Sequence, residues 1–107
     1  MQLRIRSVDV QLPSDDMAAV ERSVRTTLGR HMPGIEQARV TLSAAAIARL
    51  HCEIRVQMRP GEHLVVENET SDLHEAVAGA AQRLVRQLDR RRGLAMDHAP
   101  ERRADRR

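Results

Sequence analysis

No phenylalanine, tyrosine or tryptophan occurs in this chain, so any hydrophobic core must be assembled from Val, Leu, Ile, Met and Ala. Aromatic side chains bury the most area each, and a core built without them is expected to be thin. Lysine is absent too, and all eighteen basic residues are arginine. A guanidinium offers phosphate a planar fork that an ammonium cannot. Cys52 stands alone, which excludes an internal disulfide framework. No apolar run approaches the length of a membrane span, and no N-terminal signal-like segment is visible. The chain therefore reads as cytoplasmic and soluble, with no membrane partner.

A catalytic constellation is also missing. His31, His51, His63, His74 and His98 are dispersed, and His51 and Cys52 point to opposite faces of one strand, so no metal is expected. There is no Gly-rich phosphate loop and no nucleophile elbow. Glu67 and Glu69, two apart on one strand face, are either a pair that shares a proton or plain surface charge. The reading is of a protein that is not an enzyme, with no cofactor and no small-molecule substrate.

What the chain does have is positive charge gathered toward its end. The formal excess is only three, but nine of the eighteen arginines lie at or beyond Arg83, against four acidic residues there. Such a third points to a polyanion partner.

The stretch DLHEAVAGAAQRLVRQLDRRR, residues 72–92, organises the rest. At about 100° per residue, Leu73, Val77, Ala80, Ala81, Leu84 and Leu88 form one apolar stripe. Arg83, Arg86 and Arg90 stack on another side at steps of three and four, with Arg91 beside them. Gly79 and Ala76 fall on or near that ridge, where small side chains would let a bulky anion come close. Glu75, Gln82 and Asp89 fall on a neighbouring strip. Asp72 with Glu75 forms a capping box, and Gly93 is the expected stop. The ordinary alternative is a solvated charged face with no partner.

Upstream, Leu3 and Ile5 alternate in one phase and Val8, Val10 and Leu12 in the other, which predicts a strand over 2–12 with a bulge or bend near Ser7. Ser14 is the expected N-cap of a helix carrying Met17, Val20, Val24 and Leu28 inward and Arg22 and Arg25 outward. Ala38, Val40 and Leu42 mark a strand, and Ser43 to Arg49 its end plus a connection. Leu50 to Met58 alternates without a fault. Arg59-Pro60-Gly61-Glu62 is a turn, and His63 to Asn68 a last strand. The order β-α-β-β-β-α predicts one parallel pair, then a meander. That is an α+β two-layer sandwich: a four-stranded mixed sheet with both helices on one face, like the double-stranded-RNA-binding domain. Residues 1–93 are expected to form one domain, and 94–107 a basic, disordered tail.

The opening MQLRIRSVDVQLPSDDM and the closing ENETSDLHEAVAGAAQRLVRQLDRRR resemble the bacterial ribosome hibernation-promoting factors and ribosome-associated inhibitor A, also called sigma-factor modulation proteins. The match is strongest at Asp72, Gly79 and the run Arg83, Leu84, Arg86, Gln87, Leu88. The resemblance implies a non-enzymatic partner of the small ribosomal subunit and its RNA. It implies a protein that blocks messenger and transfer RNA sites in stress or stationary phase. The RNA-facing positions it implies are Arg83, Arg86, Arg90 and Arg91, with Arg22 and Arg25. The chain departs from the family in its first helix, where Asp15, Asp16 and Glu21 dilute the charge and Leu28-Gly29-Arg30-His31-Met32 stands in place of an aromatic pair. A protein-interaction module, using the sheet's wet face or a strand edge to bind a stress or transcription regulator, is the rival reading.

Overall fold

Alternating and helical patterns fold in the expected order. The computed structural model describes residues 1–59 and 61–96, with side chains as far as Arg91. Strand β1 spans Gln2–Val8, helix α1 Ser14–Leu28, a 3-10 helix Gly29–Gly34, β2 Ile35–Ala44, β3 Leu50–Met58, β4 His63–Thr70 and α2 Leu73–Met96. The sheet order is β1-β2-β3-β4, with β1 parallel to β2 and the other pairs antiparallel. Both helices cover one face, giving the α+β two-layer sandwich.

The register explains the core. Across the covered face, Leu3, Ala38, Val56 and Leu64 form one row, and Ile5, Val40, Ile54 and Val66 the next. Val20, Val24 and Leu28 of α1, with Ala76, Val77, Ala80, Ala81, Leu84 and Leu88 of α2, close over these rows. No buried residue is polar or charged among the described residues. Each fully buried Val, Leu or Ile contributes about 1.5–3 kcal/mol from area removed from water. Alanines at three α2 positions, Ala76, Ala80 and Ala81, bring that helix close to the sheet, which compensates for the missing aromatic volume. β2 carries an irregularity between Ile35 and Gln37, so Ile35 turns inward although its spacing to Ala38 is odd.

Several local expectations are corrected. β1 ends at Val8, not Leu12, because Asp9 takes φ 59° and turns the chain out of the sheet. Aspartate tolerates that left-handed backbone better than most residues. The change of phase near Ser7 therefore marks the strand's end and not a bulge. Pro13, not Ser14, caps α1, and it does so by its carbonyl, which accepts the Met17 N–H at 3.0 Å. Strand β4 runs two residues beyond Asn68, to Thr70. Helix α2 passes through Gly93 to Met96, since an interior glycine costs only about 1 kcal/mol and does not force a stop. Residues 97–107, most of the expected disordered tail, lie outside the described residues.

At the start of α2, Asp72 Oδ2 accepts the Glu75 N–H at 2.9 Å, as the capping box requires. The reciprocal arm comes from Thr70, whose hydroxyl oxygen accepts the Asp72 N–H at 3.1 Å.

Candidate nucleic-acid interface

The arginine ridge of α2 overhangs the outer edge of the sheet. Arg83, Arg86 and Arg90, with Gln87, line an open cleft of about 320 Å³ whose floor is β4 at Val65 to Glu67. Arg83 donates to the backbone carbonyl of Glu67 at 2.8 Å, which satisfies one acceptor on that exposed strand edge. Arg86 and Arg90 make no ion pair or hydrogen bond among the described residues. The acidic residue nearest in sequence, Asp89, is turned to the other flank of the helix. There it accepts from Arg30 at 2.8 Å and lies 2.8 Å from His31 Nε2, both on the 3-10 helix that follows α1. That separation leaves the ridge positive.

The other arginines expected at the site are not part of this cleft. Arg91 sits on the core-ward flank and is paired with Glu62 of the β3–β4 connection. Arg25 is engaged by Glu21 at 3.1 Å, one turn earlier on α1. Arg22 is exposed on α1. Ala76 and Gly79 do not open the ridge to an anion either. Ala76 is fully buried, and Gly79 lies beneath the Asn68 side chain, whose Nδ2 donates to the carbonyls of Glu75 at 3.2 Å and Ala76 at 3.3 Å. The small residues serve helix–sheet packing.

The open face of the sheet carries a feature that the sequence did not disclose. Arg4, Arg39 and Arg55 are direct cross-strand neighbours on β1, β2 and β3. Each falls on an exposed alternate position of its own strand, yet only the register reveals that they share a row. The same face holds Glu53, Glu67 and Glu69 on β3 and β4. Glu67 lies 2.7 Å from His51, and Glu69 accepts from Arg49 at 3.0 Å. Each of these two carboxylates has its own partner, so they do not form a proton-sharing pair.

A family model described as sigma 54 modulation protein / S30EA ribosomal protein matches residues 3–93. The chain belongs to that family. The resemblance seen at the chain's two ends, to the hibernation-promoting factors, thus holds at family level. No curated protein matches the chain. Among solved structures, a ribosomal subunit interface protein from Coxiella burnetii superimposes with TM-score 0.77 at 14% identity, covering 87% of this chain and 99% of its own. The N-terminal domain of Thermus thermophilus Protein Y gives TM-score 0.69 at 27% identity, covering 84% of this chain and 98% of that one. At such identity the Coxiella protein speaks for the fold alone.

Membership in the S30EA family makes this a ribosome-associated modulation factor and not a member of an enzyme family. Two side chains among the described residues have displaced pKa values. The hydrogen bonds from Arg30 and then His31 hold the Asp89 carboxyl below the usual carboxylate range. Burial pushes the Cys52 thiol up to about 12, with the Glu53 carboxylate adding to the effect. A protonated thiol inside a core is a poor nucleophile and a poor metal ligand. Among the described residues, no group of His, Cys, Asp and Glu could hold a metal ion, and no helix is long and apolar enough to cross a membrane.

Proposed function

We propose that the protein binds RNA of the small ribosomal subunit and silences translation by occupying the space that messenger and transfer RNA need. The observation that carries this is the α2 cleft, where Arg86 and Arg90 are unpaired and Arg83 is held alongside them by β4. Guanidinium groups free of carboxylates grip phosphate oxygens without reading sequence. Without Phe, Tyr or Trp the surface has no large ring on which to stack bases, so recognition is chiefly of backbone and shape. The words "ribosomal subunit interface" in the name of the Coxiella relative fit a seat between subunits. Such a factor acts in the cytoplasm, under stress or in stationary phase, and makes or breaks no bond.

The test is cosedimentation with ribosomes across a salt series, comparing wild type with Arg86→Gln/Arg90→Gln. The variant is expected to bind more weakly and to lose about 0.7–0.9 units of salt slope per phosphate contact removed. Equal binding at every salt concentration would refute the site. Binding that survives nuclease digestion would favour a protein partner, such as a transcription regulator, over RNA.

A further inference from the structure

We propose that the open face of the sheet is a second phosphate-binding surface, on which the Arg4–Arg39–Arg55 row holds a single RNA strand by its backbone. Directly opposed like charges destabilise a sheet. Here three guanidinium groups are aligned that way across three strands. Only Arg55 has an acidic neighbour, Glu53, and that contact is long, at 3.3 and 3.4 Å. Arg4 and Arg39 have no carboxylate partner among the described residues. With one long counter-charge contact, at Arg55, the row leaves Arg4 and Arg39 for an external anion to complete.

The shape of the site selects the anion. Strands lie about 4.8 Å apart, so the row is roughly 10 Å long. That length exceeds one phosphate group and suits two phosphates in succession. The cleft that these arginines line has about 230 Å³, below the usual range for a small-molecule pocket. The neighbouring row is Gln2, Gln37, Gln57 and His63, whose neutral donors and acceptors suit ribose hydroxyls. On the opposite side of the arginines the face is mixed in charge: Glu53, Glu67 and Glu69 lie there with Arg6, and Glu67 and Glu69 are paired with His51 and Arg49. A strand is therefore confined to the half of the face that bears the arginine and glutamine rows. With no Phe, Tyr or Trp to stack on, the backbone supplies most of the contact and sequence would not be read.

The ligand class here rests on the RNA reading above, while the surface is distinct from the α2 cleft, so the two can fail separately. The experiment is a 15N–1H NMR titration of the full chain with a six-nucleotide oligouridylate at low salt, alongside salt-dependent binding of the same oligomer. Amides of Gln37, Arg39 and Gln57, including the glutamine side-chain amides, are expected to shift. Arg4→Gln/Arg39→Gln/Arg55→Gln should abolish those shifts and reduce the salt slope by about 2 units, at about 0.7 per contact. Its melting temperature should stay level or rise, because repulsion has been removed. Shifts confined to α2 residues, or an unchanged slope in the triple variant, would overturn the proposal. Loss of ribosome binding in Arg86→Gln/Arg90→Gln with the sheet shifts intact would leave this surface standing while the α2 cleft alone holds the ribosome.

Discussion

Asn68 of β4 reaches under α2 so closely that a β-carbon on Gly79 would lie 2.2 Å from its Nδ2 and 3.0 Å from its Cγ. The pair fixes the spacing between the last helix and the edge strand, and with it the seat of the arginine cleft.

Gly79→Ala is therefore expected to destabilise the protein by about 1–3 kcal/mol, the usual cost of overpacking, even though alanine favours a helix by about 1 kcal/mol. In an Asn68→Ala background the same change should become neutral or stabilising. Denaturant midpoints of the four proteins in this cycle measure the coupling.

The core has few large side chains, so each one matters. Leu84 is fully buried between α2 and the sheet. Leu84→Ala should cost about 2–5 kcal/mol in equilibrium unfolding, a large share of the stability of a domain this size. A loss below 1 kcal/mol would show that α2 packs less closely than described.

Asp89 links the 3-10 helix to α2, and its folded-state pKa is lowered by Arg30 first and His31 second. A lowered carboxyl pKa gives stability that is present above the unfolded value, about 3.9, and is lost as pH falls through the lower folded value. Asp89→Asn should thus melt below wild type at neutral pH, and the gap should close in acid. Melting curves from pH 7 down to pH 3 test this. A constant gap would refute the link.

Cys52, buried with its thiol pKa near 12, should react with a thiol reagent only when the core opens. Labelling in native buffer is expected to follow the unfolding rate and to be complete within mixing time in strong denaturant. Fast labelling of the native state would contradict its burial.

Arg86 and Arg91 are expected to differ although both were implied to face RNA. Arg86 has no partner among the described residues, whereas Arg91 is already paired with Glu62. Arg86→Gln should lower the salt slope of RNA binding by about 0.7–0.9, and Arg91→Gln by less than half of that.

The element order and the core stripe of α2 were legible because period two and period 3.6 survive in an aliphatic sequence. Ile54, Val56, Val77 and Leu84 all fall where their spacing put them. Boundaries were less legible where backbone geometry decided them, as at Asp9 and Gly93. The ridge of Arg83, Arg86 and Arg90 was visible because it is local to one helix. The row of Arg4, Arg39 and Arg55 was not, since cross-strand register arises from chain pairing and no single stretch encodes it. Gly79 was assigned to the ridge for its size, when its real neighbour, Asn68, belongs to the preceding strand.

The two helices and the sheet close the core only when α2 lies over β3 and β4, and α2 follows both of those strands in the chain. During synthesis, the inward faces of β3 and β4 stay wet until Leu84 and Leu88 leave the exit tunnel. Nascent chains cut short before that point have nothing to shield those strands, so a protein proposed to quiet ribosomes takes its shape only once α2 has itself been translated.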